Sequence, residues 1–288
     1  MENLTVLANC GRLTVIEHDI VNKIPDHLPR FDEIYNLACP ASPPRYQEDP
    51  VKTSMINALG SWNVLQLAQR DNARVFQAST SEVYGDPLIH PQSEKYLGNV
   101  NTVGPRSCYD EGKRFAETLF NDYAKQRGLT VRIARIFNTY GPRMQVDDGR
   151  VISNFIVQAL MNEPITIYGD GTQTRSFCFV SDLIRGFDLL MHSEAEVPGP
   201  VNLGNPSEAT ILDLASKIIQ MIGSRSKLIL LPLPADDPRR RRPDISMAKA
   251  QLNWTPVVSL HKGLEMSIDY FDRMLKAQSI NRAMARAV

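Results

Sequence analysis

Two spacings of apolar residues alternate along this chain and divide it into strands and helices. Continuous apolar runs at 74–78 (Arg-Val-Phe-Gln-Ala) and 130–136 predict buried parallel strands. Between them Phe115, Leu119, Phe120 and Tyr123 recur at helical spacing, which predicts a helix over 109–127. Upstream, the pattern predicts strands at 13–20 and 33–38, a proline-rich loop at 40–44 and a helix over 50–70. Downstream it predicts a helix over 151–162, with Ile152, Phe155, Ile156, Ala159 and Leu160 on one face. Strands at 165–168 and 175–180 follow, with a Gly-Asp-Gly turn at 169–171 between them. A helix is expected at 181–192 and a strand near 201–204 that rejoins the parallel sheet. Thr210 then caps a helix carrying Ile211, Leu214, Ala215, Ile218, Ile219 and Ile222. A strand at 228–231, a basic loop at 239–242 and a helix over 260–275 complete the pattern, and the basic tail from Lys276 is expected to fray.

Strands alternating with helices are the mark of an α/β doubly wound parallel sheet. The expected division is an incomplete dinucleotide-binding domain over 1–145 and a smaller substrate lobe over 146–288, with 201–204 returning to the first sheet. The active site belongs in the crevice between the two lobes.

Composition narrows the function classes. The 288 residues carry 32 basic and 32 acidic side chains, so no strong field draws the chain to nucleic acid or a membrane surface. No apolar run approaches a membrane span, and the N-terminus lacks a signal-peptide profile. Cys10, Cys39, Cys108 and Cys178 are scattered without metal-type spacing, which reads as reduced thiols in a cytoplasmic enzyme that needs no metal.

The chemistry concentrates between residues 79 and 113. Ser79, Thr80, Ser81 and Glu82 follow the 74–78 strand, at the C-terminal strand end where open α/β sheets place their ligands. Tyr109 and Lys113 are four apart and share one helix face. An ammonium nearby favours a phenolate and lowers the tyrosine from its usual pKa of about 10, making it a general base. Taken alone, Tyr-x-x-x-Lys reads as an ordinary surface pair; the hydroxyls at the upstream strand end shift the reading toward catalysis.

The sequences at 79–87 (STSEVYGDP), 104–113 (GPRSCYDEGK) and 135–143 (RIFNTYGPR) resemble the extended short-chain dehydrogenases/reductases, and among them the UDP-glucuronate decarboxylase family. The resemblance runs from about residue 19 to about residue 271. It implies NAD as cofactor, UDP-glucuronate as substrate and UDP-xylose as product, through a 4-keto sugar. By that resemblance Tyr109 is the base, Lys113 its partner, Thr80 the hydrogen-bond donor to the C4 oxygen, and Glu82 a group that orients the sugar or assists protonation. Ser81 stands where related dehydratases carry an aspartic acid, which favours decarboxylation over dehydration. The resemblance assigns Asn138, Arg143, Arg150, Tyr168, Gln173, Arg175 and Arg242 to the UDP-sugar, leaving Arg239–241 as surface. It assigns Asp19, Ile20, Leu37, Ala38, Asn57 and Ser79 to the cofactor, although Asp19 reads equally as a strand-end turn residue. Met55 replaces a lysine frequent in relatives. A homodimer through a four-helix bundle, formed by helices 50–70 and 106–127 of two subunits, is also implied.

One feature of the family is missing. The chain has no G-x-G-x-x-G or G-x-x-G-x-x-G, and the resemblance sets Met1 just after the family's second strand. A mis-assigned start, a shortened chain, or a natural fragment without cofactor binding would each explain this; the intact downstream motifs favour the first two. Loss of two neighbouring strands is expected to leave unpaired sheet edges or force a new pairing. The alternatives to a decarboxylase are another nucleotide-sugar epimerase or dehydratase, and an inactive fragment that only binds UDP-sugar or pairs with a longer subunit.

Overall fold

The computed structural model describes residues 3–4, 11–194, 199–234 and 240–285; Cys10 and Arg239 lie outside them. Elements in chain order are β1 (Glu33–Asn36), α1 (Pro43–Glu48), α2 (Pro50–Met55), a π-helical turn (Ile56–Gly60) and α3 (Ser61–Asp71). Next come β2 (Arg74–Thr80), a 3-10 turn (Ser81–Tyr84), α4 (Ser107–Arg127), β3 (Val131–Ile136) and β4 (Thr139–Tyr140). The second half holds α5 (Val151–Leu160), β5 (Ile165–Tyr168), β6 (Thr174–Ser176), β7 (Cys178–Phe179) and α6 (Val180–Met191). It continues through β8 (Val201–Leu203), β9 (Glu208–Thr210), α7 (Ile211–Ile222), β10 (Leu228–Leu231), β11 (Arg240–Arg241), α8 (Ser246–Leu252) and α9 (Leu260–Ala285).

The main sheet is parallel throughout, in the order β1-β2-β3-β8. Strand β2 is central, and Val75, Phe76 and Ala78 bury on both of its faces. Val75 joins Val64, Leu65, Ala68 and Phe120 beneath α3 and α4. Phe76 and Ala78 join Leu183, Phe187, Leu190 and Trp254 on the opposite face. Helices therefore cover both faces, as a parallel sheet requires. A separate core gathers α5, β5, α7 and α9 around Ile156, Phe155, Ile218 and Phe271.

Several expectations are corrected. Residues 11–19 form no strand, and Leu13, Val15 and Ile16 stay exposed. Among the described residues nothing pairs with the outer edge of β1, so an unpaired edge is the outcome, and a strand without a ladder partner does not form. Strand β1 stops at Asn36 rather than residue 38. The proline-rich stretch is not all loop, because Pro43 opens α1 at a position where its missing N–H costs nothing. The helix over 50–71 is interrupted by the π turn at 56–60. The 175–180 strand divides at Phe177, since β6 pairs with β9 and β11 while β7 pairs with β4. Instead of fraying at Lys276, α9 continues to Ala285, with Lys276 bonded to Asp272 one turn earlier. Thr210 caps α7 as expected, accepting from the Asp213 N–H at 3.0 Å.

Candidate active site

The site forms where β2 ends. Its last residue, Thr80, turns the chain into the 3-10 helix and accepts the Glu82 N–H at 3.2 Å. Helix α4 runs back alongside, and Tyr109 and Lys113 both point inward and are buried. Lys113 donates to the Ala78 carbonyl at 2.8 Å and sits 5.7 Å from the centre of the Tyr109 ring. The Thr80 hydroxyl hydrogen-bonds Tyr109. One turn further along α4, Glu117 accepts the Ser79 hydroxyl at 2.5 Å and takes Arg135 through both oxygens, at 2.9 and 2.7 Å. Tyr109, Lys113 and Glu117, spaced four apart, thus bind three successive residues of the strand end, Ala78 through Thr80.

The electrostatics differ from the expectation in one respect. Burial pushes the Tyr109 phenol up, with Cys39 and Glu82 adding to the shift. Lys113 does not offset the burial of the phenol: its ammonium is turned onto the Ala78 carbonyl, and burial itself disfavours that charge. The ligand-free setting therefore favours the protonated phenol.

Glu82 is the most heavily coordinated acid in the site. Arg241 grips it with both guanidinium nitrogens, one of them at 3.0 Å, and Arg106 reaches it at 2.8 Å. Burial opposes its charge, but Arg241 and Arg106 overcome that penalty and hold the carboxyl well below the usual range. Glu82 is therefore held as an ionised acceptor in the ligand-free site, a setting that suits the orienting role expected of it. Tyr46 stacks on Tyr109, with ring centres 4.8 Å apart and planes within 6°. The Tyr46 hydroxyl is buried without a hydrogen-bond partner and lines the same cavity.

That cavity, about 590 Å³, lies between the main sheet and the second core. It brings together Leu37, Ser79, Thr80, Ser81, Glu82, Tyr109, Lys113, Asn138, Arg150, Tyr168, Gln173 and Arg175 from the expected set. Arg150 is held by Asp148 at 2.8 Å, and Gln173 donates to the Tyr168 carbonyl at 2.5 Å. Six other expected residues do not line it. Asp19 turns the chain, accepting the Val21 N–H, and pairs with Lys52; Ile20 packs against α3. Ala38 lies outside the lining, and Asn57 is buried in the π turn, bonded to the Thr53 carbonyl and the Cys39 thiol. Arg143 adopts a left-handed backbone (φ 70°) off the cavity, and Arg242 reaches Glu208 at 3.6 Å instead.

Arg241, Arg106 and Tyr46 are the residues that the sequence reading missed. The expectation that residues 239–241 are all surface fails at Arg241, which is 3% exposed. Strand β11 pairs with β6, aligning Arg241 with Arg175, and strand alternation turns Arg241 inward. Arg106 sits three residues before Tyr109 within a motif already noted, which was the available signal.

The NAD dependent epimerase/dehydratase family model matches residues 3–204. The chain is 54% identical to UDP-glucuronic acid decarboxylase 1 of Danio rerio, over 93% of this chain and 63% of that protein. It is 53% identical to UDP-glucuronic acid decarboxylase 3 of Arabidopsis thaliana, over 94% of this chain and 78% of that protein. The chain thus spans just over three fifths of the first of these relatives and more than three quarters of the second. Among solved structures, UDP-glucuronic acid 4-epimerase from Bacillus cereus, in complex with UDP-glucuronic acid and NAD, superposes with a TM-score of 0.86 and 30% identity, covering 95% of this chain and 86% of that one. UDP-glucose 4-epimerase of Thermotoga maritima follows at 0.79 and 26%, over 85% and 78%. With its parallel sheet, its paired Tyr109 and Lys113, and a family match over most of its length, the chain belongs to the NAD dependent epimerase/dehydratase family.

Proposed function

We propose that this chain decarboxylates UDP-glucuronate to UDP-xylose with NAD as cofactor. The observation that carries the reading is the cluster facing the cavity around Thr80 and Tyr109. Arg106, Arg241 and the unpartnered Tyr46 hydroxyl converge there beside Glu82, a setting suited to a sugar carboxylate. The similarity to named decarboxylases supports the same substrate. Ser81 lines the cavity where a dehydratase would need an acid, and its hydroxyl is too weakly acidic to expel a C6 hydroxyl.

Tyr109, Lys113, Ser79 and Leu37 fit the nicotinamide end of NAD, since all four line one cavity and two of them carry donors suited to a ribose. The described residues include no strand–glycine–helix turn for the pyrophosphate, so the fit is to one half of the cofactor. When bound, NAD supplies hydride acceptance and return at C4 of the sugar. As the phenolate, which the positive charge of an oxidised nicotinamide beside it would favour over the neutral phenol of the ligand-free site, Tyr109 takes the proton of the C4 hydroxyl and later gives it back. Thr80, already bonded to Tyr109, holds the C4 oxygen. A ketone at C4 is β to the C5 carboxylate, so the bond to that carboxyl breaks as carbon dioxide leaves. Its electron pair passes into the C4 oxygen, and C5 is then protonated. Asn138, Arg150, Tyr168, Gln173 and Arg175 are assigned to the UDP and sugar.

Two further parts belong to this reading. Val51, Met55, Leu59 and Trp62 recur on one face of α2–α3 and stay exposed, as does Phe115 on α4, which suits a homodimer packed through these helices. A cytoplasmic location accords with the free thiols of Cys39, Cys108 and Cys178; no helix among the described residues is long and apolar enough to cross a membrane.

The test is to supply UDP-glucuronate and NAD and follow carbon dioxide and UDP-xylose. Tyr109→Phe is expected to lower the rate by roughly a hundredfold to ten-thousandfold. Formation of the C4 epimer without carbon dioxide would replace this reading with an epimerase. No turnover together with no NAD binding on titration would favour the UDP-sugar-binding fragment.

A further inference from the structure

Arg241 reaches Glu82 across 159 positions of sequence from a strand of two residues. Pairing with β6 sets the register of that strand, and the loop after the 3-10 helix holds the residues that follow it. Gln92, fully buried, donates its backbone N–H to the Arg242 carbonyl at 2.9 Å and accepts the Asp244 N–H at 2.8 Å. Its side-chain oxygen accepts the Arg242 N–H at 2.8 Å, and its side-chain nitrogen donates to the Ile89 carbonyl at 2.7 Å. Every polar atom of Gln92 is therefore used, most of them on the segment that carries Arg241.

Asn202 on β8, also fully buried, completes the junction. Its amide nitrogen donates to the carbonyls of Gln92 and Asp244, each at 3.0 Å, and its oxygen accepts the Tyr84 hydroxyl at 2.8 Å. Tyr84 lies two residues beyond Glu82 in the same 3-10 turn. Glu82 and Arg241 are thus each fixed to one hub. We propose that Gln92 is a positioning residue: together with Asn202 it holds the 241–244 segment where Arg241 meets Glu82 across the cavity.

The inference rests on the proposed function only for its turnover measurement. Gln92→Leu keeps both backbone bonds but leaves the Arg242 N–H without its acceptor, and a buried group left unpaired displaces its segment. The first readout is the Glu82 carboxyl, followed by carbon-13 NMR in glutamate-labelled protein without substrate and assigned with Glu82→Gln. The groups facing it are Arg241 from β11, Arg106 beside α4 and Arg175 from β6, with Tyr109 and Tyr46 near. Retreat of Arg241 removes the foremost charge holding the carboxyl down, so its pKa rises in Gln92→Leu. The second readout is UDP-glucuronate turnover, expected to fall about tenfold in kcat, with a smaller change in KM. If Gln92→Leu does not fold, Gln92→Asn withdraws the amide by one methylene and reads the same quantities. An unchanged Glu82 titration in a folded variant overturns the proposal. A shifted titration alongside a wild type that releases no carbon dioxide would leave the positioning role standing and remove the decarboxylase reading.

Discussion

Tyr46 shows how one side chain separates stability from function. Its hydroxyl is buried without a partner while its ring stacks on the candidate base. An orphaned buried donor costs stability, so Tyr46→Phe should stabilise the ligand-free protein by about 1 kcal/mol, read as a higher urea midpoint. The same change should weaken UDP-glucuronate binding, because the donor that the substrate would use is gone. A lower midpoint would contradict this account. Which residues meet at the cavity was partly legible in the sequence. Tyr109, Lys113, Thr80 and Ser81 were identifiable, since spacing on one helix and position after one strand are local properties. The phenol's acidity was not, because burial and the direction of the Lys113 ammonium are set by neighbours far away in the chain.

Among elements, α4 and the π-interrupted helix over 50–71 meet at Gly112. A Cβ there would lie 2.8 Å from the Asn57 side-chain nitrogen and 3.0 Å from its Cβ. Gly→Ala inside a helix ordinarily gains up to about 1 kcal/mol. Here the contact reverses the sign, and Gly112→Ala is expected to destabilise by roughly 1–3 kcal/mol in urea unfolding, the usual cost of overpacking. Stabilisation would show that the two helices separate freely. Periodicity identified these helices but not the π turn, since the side-chain spacing is nearly the same on either side of it. It also predicted a strand over 13–20 that does not form, because a strand depends on a neighbour and the pattern describes only one chain segment.

At the scale of the whole molecule, the exposed stripe on α2–α3 and Phe115 on α4 predicts association. Sedimentation at micromolar concentration should give twice the chain mass, and Trp62→Asp, at a side chain 46% exposed, should return a monomer. A wild-type monomer would assign these residues to ordinary surface. What the sequence determined by itself is the order and kind of most elements, the alternation that makes a parallel sheet, and the helix face that carries Tyr109 and Lys113. These follow from backbone periods of 3.6 and 2, which operate over a few residues. Only the tertiary structure decided which arginine of the basic run enters the site, which expected contacts fall outside the cavity, and how Glu82 is held charged. Each depends on strand pairing and burial between segments distant in the chain, 159 positions apart for Arg241 and Glu82, and no local spacing encodes them.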